Sequence, residues 1–305
     1  TSMNGRIIKS TGSWYKVRLE SGALVDARVR GKLRIDGIKS TNPVAVGDIV
    51  TLSDSNESDY IIQDVQERKN YIIRKATKLS KQTHIIAANL DLAIVMVTIV
   101  QPNLKLGFLD RMLVTAEAYN IPALIVINKS ELLTENELAY AQDLCKAYKD
   151  IGYDSKIISV IEGSGVEEIK EEIKGKTVLI TGHSGVGKSS LVNAIDPSLN
   201  ARITVVSKYS EKGQHTTTFA ELYEINNNTA IIDTPGLKSF GLTTIEPQEL
   251  KDFFPEMLRL SKDCKFNNCL HLNEPNCRVR DAYEKSELPW FRYEHYQMLL
   301  KEISE

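Results

Sequence analysis

Thr177-Val-Leu-Ile-Thr-Gly-His-Ser-Gly-Val-Gly-Lys-Ser-Ser-Leu191 is the stretch from which the rest of the chain can be read. Thr177 to Thr181 is a short run of β-formers. It leads into Gly182-x-x-x-x-Gly187-Lys188-Ser189 and then an apolar-periodic segment that Asp196-Pro197 terminates. Strand, glycine loop and helix in that order form the context in which this spacing cradles phosphate. Gly182, Gly185 and Gly187 let the backbone turn with its amides pointing inward, and the helix starting near Lys188 adds its positive dipole end. Gly182, His183, Ser184, Gly185, Val186, Gly187, Lys188, Ser189 and Ser190 are therefore candidate phosphate-loop residues. Lys188 would reach the outer phosphates and the Ser189 hydroxyl would bind Mg²⁺. A glycine-rich turn that matches by chance is the competing explanation, and the flanking strand and helix count against it.

At 305 residues the chain has room for two or three domains. Its longest apolar run, Leu92 to Val100, falls far short of the roughly 20 residues of a membrane span. No charged-then-apolar leader opens the sequence. A cytoplasmic protein without a membrane partner is the expectation. The formal net charge of −2 does not announce a nucleic-acid binder, so any such binding must come from local patches.

The first 70 or so residues read as short β segments: Arg6 to Lys9, Trp14 to Glu20, Leu24 to Ile35, Ile49 to Ser53 and Tyr60 to Val65. Their spacing predicts a small barrel or sandwich. From Val25 to Ile35 the odd positions are Val25, Ala27, Val29, Gly31, Leu33 and Ile35, while Arg28, Arg30, Lys32 and Arg34 occupy even ones. Period two places these four cations on one face. That pattern fits a solvated strand face and also an oligonucleotide-binding barrel, while a break at Gly31 would put the cations on a loop. Asn70 to Gln82 reads as a polar, basic connector.

Beyond it, strands alternate with helices. Leu92 to Val100 and Ala123 to Ile127 are apolar runs of the buried parallel-strand kind. Leu109, Met112, Leu113 and Ala116 share a helical face, and Thr134-x-x-Glu137 is a capping box for a helix reaching about Asp150. Lys156 to Val160 predicts a strand and Val166 to Lys174 a helix; Thr218 to Ile225 and Thr229 to Ile232 predict two more strands. A doubly wound sheet follows, with ligands beyond the carboxyl ends of its strands.

Asn128-Lys129-Ser130-Glu131 stands at one such end and resembles the guanine motif Asn-Lys-x-Asp. One carboxylate can accept from guanine N1–H and the exocyclic amine together; Glu131 supplies it here through one more methylene. Ser159 to Gly165 occupies the place of a base-contacting loop, with Val160 where alanine is usual. Asp233-Thr-Pro-Gly236 matches Asp-x-x-Gly, which gives Asp233 the metal's water shell and the Gly236 amide the γ-phosphate. Thr217, in Gly213-Gln-His-Thr-Thr-Thr218, adds a hydroxyl for Mg²⁺. Cys264-x₄-Cys269-x-His271-x₅-Cys277 has the donors and spacing of a closed structural zinc site. Lys262, Lys265, Arg278 and Arg280 make a second basic area, and Cys145 reads as a packed helix residue.

The guanine motif precedes the phosphate loop, the reverse of the ordinary order. Together these motifs resemble the RsgA family, circularly permuted GTPases of small-ribosomal-subunit biogenesis, over nearly the whole chain. The resemblance implies a multidomain protein: an N-terminal OB-fold β-barrel (1–70), a central circularly permuted α/β P-loop GTPase domain (71–245) and a C-terminal zinc-binding domain (246–305). It implies one structural Zn²⁺, Mg²⁺ with GTP, hydrolysis to GDP, and the small ribosomal subunit with its rRNA as partner of a monomer. Leu237 stands where many GTPases have the water-orienting glutamine, which predicts slow intrinsic hydrolysis. Lys188 and His215 are the catalytic candidates, the latter to position water once the subunit orders its loop; a loop-packing role fits His215 as well. Gln214 replaces a common arginine. An RNA-binding scaffold with a structural nucleotide, and a GTPase acting on another RNA, are the alternatives.

Overall fold

The computed structural model describes residues 1–29, 43–54, 59–75, 83–199, 220–226, 228–233 and 245–305. Its strands are β1 (Ser2–Ser10), β2 (Tyr15–Leu19), β3 (Leu24–Val29), β4 (Ile49–Asp54), β5 (Tyr60–Val65), β6 (Tyr71–Lys75) and β7 (Thr83–Ala88), followed by β8 (Leu92–Thr98), β9 (Ala123–Asn128), β10 (Asp154–Ile157), β11 (Thr177–Gly182), β12 (Glu221–Asn226) and β13 (Thr229–Asp233). Its helices are α1 (Leu106–Ala118), α2 (Glu135–Ile151), α3 (Val166–Ile173) and α4 (Lys188–Ile195), then α5 (Pro247–Leu250), α6 (Pro255–Ser261), α7 (Arg278–Glu284) and α8 (Trp290–Ser304). The chain packs as two compact units, one of Thr1–Ala93, Glu167–Ile180 and Ser189–Leu237, the other of Ile94–Val166, Thr181–Lys188 and Lys238–Glu305.

In the first unit, β1 to β5 close on themselves. β1 pairs with β2 and β4, β2 with β3, β3 with β5 in parallel, and β5 with β4. Closure leaves no unpaired edge, which is how a short-stranded all-β segment avoids edge-to-edge association. Alternation drives it: Tyr15, Val17 and Leu19 of β2 point inward between Lys16 and Arg18, and Ile7, Leu52 and Ile62 join them inside. Arg28 lies on β3, its guanidinium 5.8 Å from the Trp14 ring centroid and 3.8 Å from Asp59. Arg30, Lys32 and Arg34 lie outside the described residues.

The connector expected over Asn70 to Gln82 is replaced at its start by a strand. β6 pairs antiparallel with β7, because Tyr71-Ile72-Ile73 is a β-forming run and Ile72 is buried. Buried Asn70 fixes its entry, donating Nδ2 to the Leu90 carbonyl at 2.7 Å while Oδ1 accepts from the Leu90 amide at 2.8 Å. β11 and β13 run parallel, whereas β12 and β13 are antiparallel, since the short Asn-rich turn between them forbids a crossover. Barrel strand β1 continues this sheet by pairing Lys9 with Glu221, and Arg18 holds Glu224 through Nη2 at 2.7 Å.

In the second unit the strand order is β10, β9, β8, with β10 parallel to β9 and β8 buried along its whole length. β10 ends earlier than expected because Ser159 bridges Ser164, closing a turn in place of further strand. The capping box at Thr134 is present: its side chain accepts from the Glu137 amide at 3.2 Å and Glu137 accepts from the Thr134 amide at 3.0 Å. Helices α5 to α8 enclose a core of Leu250, Phe254, Met257, Val279, Tyr296 and Leu299, which Val114 of α1 joins. α8, the last of these in sequence, carries Tyr296 and Leu299 into that core. Among the described residues no helix is long and apolar enough to cross a membrane.

Candidate functional site

Between β11 and α4 the chain turns through Gly182 to Lys188. Lys188 Nζ donates to the carbonyls of Gly182 at 2.6 Å and His183 at 2.8 Å, tying the loop to its own helix start. Gly187 has φ +103°, and a Cβ there would stand 2.4 Å from Asn128 Nδ2. Only glycine allows that approach. Ser184, Gly185, Ser189 and Ser190 are exposed, while Val186 is buried beneath the loop.

Asn128, the last residue of β9, is buried and bonds in two directions. Its Nδ2 donates to the Val186 carbonyl at 3.0 Å, and its Oδ1 accepts from the Val160 amide at 3.1 Å. One side chain thus ties the phosphate loop to the Ser159–Gly165 loop. Lys129 takes a left-handed conformation, φ 64° and ψ 39°, and its Nζ donates to the Gln101 carbonyl at 2.7 Å. The Ser130 amide donates to Ile158 at 3.1 Å, so the motif backbone also rests on this loop. Glu131 follows in a short 3-10 turn; its Oε2 is buried and has no hydrogen-bond partner among the described residues. A buried carboxylate oxygen left unpaired costs free energy, and a donor pair supplied by a ligand removes that cost.

His183 stacks on Phe108 of α1 with ring centroids 3.7 Å apart. Burial first, then the Lys105 and Lys188 cations, hold its imidazole below the ordinary histidine range, so it is neutral at pH 7. Asp233 ends β13 directly opposite Glu221; burial first, then that neighbouring carboxylate, raise its carboxyl above the usual range. A nearby cation offsets both causes. His215, Thr217 and Gly236 lie outside the described residues.

The structure brings Asn128 against Val186 and Gly187 of the phosphate loop, while Lys129 and Ser130 bond Gln101 and Ile158 instead. Val160 departs from the usual alanine of the Ser159–Gly165 loop, yet the contact to Asn128 uses the Val160 backbone amide, to which the side chain is immaterial. Gln101 and Phe108 carried no sequence signal at all.

The second constellation lies among α6, α7 and α8. Cys264, Cys269, His271 and Cys277 bring their donor atoms within 4.8 Å of one another. His271 Nδ1 lies 3.3 Å from Cys277 Sγ and 3.7 Å from Cys264 Sγ. A tetrahedral ion with Zn–S of about 2.3 Å and Zn–N of about 2.0–2.1 Å needs an S···N spacing near 3.6 Å, so the donors fit. Each sulfur also accepts a backbone amide at 3.4 Å: Cys264 from Arg278, Cys269 from His271, Cys277 from Arg280. Those amides favour thiolates. Burial pushes the Cys269 thiol up to about 12 and His271 down to about 4, and a divalent cation reverses the first and requires the second. No cysteine is disulfide-bonded. Cys145 lines a mostly apolar cavity with Val97, Leu109, Ile125 and Leu144, away from the other three cysteines.

The second basic area is less free than its sequence implied. Arg278 pairs with Asp281 at 3.3 Å and Arg280 reaches Glu284 at 3.9 Å because helix α7 sets acids one turn from its cations, and Glu287, beyond the helix, holds Arg278 at 2.8 Å.

A guanine motif that precedes the phosphate loop in sequence yet bonds to it in space defines a circularly permuted GTPase, here with an OB-like barrel before it and a Cys₃His module after it. The family model of the RsgA GTPase matches residues 65–243 and that of the RsgA N-terminal domain residues 4–62. The chain belongs to the RsgA GTPase family. It is 50% identical over 302 residues to the small ribosomal subunit biogenesis GTPase RsgA of Flavobacterium johnsoniae, covering 98% of this chain and 93% of that protein. The protein of that name from Bacteroides fragilis is 45% identical over 303 residues, covering 99% and 98%. Among solved structures, YjeQ from Thermotoga maritima superimposes with a TM-score of 0.80 at 32% identity over 99% of each chain. YloQ, described as a circularly permuted GTPase, gives 0.79 at 32% identity over 100% and 96%.

Proposed function

We propose that this chain hydrolyses GTP to GDP and phosphate on the small ribosomal subunit during its late maturation. The observation that carries the nucleotide assignment is Asn128, whose amide joins the phosphate loop at Val186 and the base loop at Val160. Guanine is then read by the Glu131 carboxylate, and its unpartnered Oε2 supports that role. Ser130 and Lys129 complete the base side; Gly182 to Ser190 and Gly236 take the phosphates. Mg²⁺ is assigned to Ser189, Thr217 and Asp233, supported by the motif order and by the buried, acid-flanked position of Asp233. It would neutralise charge building between the outer phosphates, with Lys188 on the same oxygens. Water positioning is given to His215, because the Leu237 side chain has no polar atom to offer.

The Cys264, Cys269, His271 and Cys277 donors are assigned one structural Zn²⁺, which would clamp loops too polar to form a core. Binding to rRNA is assigned to Arg28, Arg30, Lys32 and Arg34. Arg28 beside Trp14 supports it, since an aromatic ring with a cation is a stacking platform for an unpaired base. The division into 1–70, 71–245 and 246–305 is supported by the closed ring of β1 to β5 and by the two family-model spans. A monomer working in the cytoplasm completes the proposal. The relatives named as small ribosomal subunit biogenesis GTPases favour this partner over another RNA.

The test is phosphate release by the purified chain alone, with purified small subunits and with large ones, alongside co-sedimentation in GTP-analogue and GDP states. Slow basal turnover that small subunits alone accelerate is the expected result. Equal turnover under all three conditions would return the chain to the nucleotide-bound scaffold reading.

A further inference from the structure

Helix α1 touches the chemistry at two places. In its first turn Phe108 stacks on His183 of the phosphate loop. Two residues later Asp110 is fully buried, accepting from Arg292 Nη1 at 3.0 Å and the Tyr148 hydroxyl at 2.8 Å and pairing with His295 Nδ1. Arg292 and His295 belong to α8. Arg292 is itself fully buried; it bonds Glu256 of α6 at 2.8 and 3.2 Å and lies 4.6 Å from the Phe254 ring centroid. The same turns of α8 face the metal cluster. Tyr293 donates to the His271 carbonyl at 2.6 Å and Tyr296 to the Leu270 carbonyl at 2.7 Å.

Contacts of this kind do not stretch. A guanidinium bonded to two buried carboxylates cannot slide from either without leaving a charge uncompensated, so α1 and α8 move together or hold still together. The phosphate-loop end of the path is the part a nucleotide perturbs. Lys188 Nζ now bonds the His183 carbonyl, and phosphate oxygens compete for that same ammonium. Any adjustment of His183 meets the Phe108 ring at once.

We propose that occupancy of the phosphate loop and retention of metal by Cys264, Cys269, His271 and Cys277 are coupled through α1 and α8, with Phe108 as the positioning residue at the loop. The proposal rests on the nucleotide and metal assignments above. Linkage is reciprocal: nucleotide tightens metal by the factor that metal tightens nucleotide.

The test follows zinc transfer from the zinc-loaded full-length chain to a chromogenic chelator, with and without saturating GDP. Saturation of each sample is checked by titration with a fluorescent guanine nucleotide. At equilibrium with the chelator, GDP is expected to tighten zinc retention about fivefold or more in the unaltered chain, the lower end of ordinary coupling. Phe108→Ala at saturating GDP reduces that effect to below about twofold, while Phe108→Tyr, which keeps the ring, preserves it. Leu109→Ala, buried on the same turn and with no ring to set against His183, also preserves it. If Leu109→Ala abolishes the effect as fully as Phe108→Ala, general loosening of α1 explains it and the proposal is overturned. Equal release with and without GDP in a chain that binds GDP overturns the coupling and leaves the nucleotide assignment standing. A chain that binds no GDP overturns both.

Discussion

Replacing Gly187 by alanine separates the contribution of Asn128 from that of the loop backbone. At φ +103° an L-residue pays about 1–2 kcal/mol for the left-handed region. The added Cβ would also sit 2.4 Å from Asn128 Nδ2, too close to remain, so the amide must leave the Val186 carbonyl it now bonds at 3.0 Å. Losing a buried hydrogen bond of this type costs about 1–3 kcal/mol. The sum, about 2–5 kcal/mol, becomes roughly a 30- to 5,000-fold loss of affinity if binding must restore the native loop. Gly185→Ala is the control. Its φ is +86°, but the nearest heavy atom to a new Cβ is Pro102 Cδ at an ordinary 3.9 Å. It therefore incurs strain alone, about 1–2 kcal/mol or roughly 5- to 30-fold. Displacement of a fluorescent guanine nucleotide measures both affinities, and a thermal melt of each sample reports the fold. If the two variants bind within about threefold of each other, the Asn128 contact is not what holds the loop and the site assignment loses its main support.

Glu131→Gln exchanges a two-site acceptor for a group that also donates, and should lower the preference for GTP over ATP by at least about tenfold in competition binding. Unchanged selectivity would place guanine recognition elsewhere. His215→Ala should leave GTP affinity intact while removing turnover stimulated by small subunits; unchanged stimulated phosphate release would retire that assignment. Cys277→Ser, or chelation of the unaltered chain, should lower the melting temperature of the module formed by α5 to α8, because metal binding there is folding free energy. Identical melts with and without chelator would argue against a structural ion. Arg292→Met leaves Asp110 and Glu256 buried without their common cation, at an expected cost of about 3–5 kcal/mol in chemical denaturation. A cost below about 1 kcal/mol would mean that His295 and Tyr148 suffice for Asp110.

Short-range patterns were legible in the sequence because their causes are short-range. The strand–glycine loop–helix at Thr177 to Leu191, the capping box at Thr134 and Glu137 and the Cys264-to-Cys277 spacing each act over a few residues. The reversed motif order could be read for the same reason: it needs only the positions of Asn128 and Gly182 along the chain. The Tyr71–Lys75 strand was hidden by its polar surroundings, since its partner β7 is what gives Ile72 a side to bury.

What tertiary structure alone decided are the contacts between residues distant in sequence. Asn128 meets Val186 across 58 positions and Arg292 meets Asp110 across 182. No local pattern encodes such pairings; they exist because packing β9 beside the loop, and α8 against α1, brings partners from distant segments within reach of each buried polar group. The pairing of Arg278 with Asp281 and of Arg280 with Glu284, by contrast, is local helix spacing of three and four residues. Residue types thus named the chemistry this chain can perform, while the fold decided which side chains are close enough to share it, because burial makes an unpaired donor or charge too costly to leave alone.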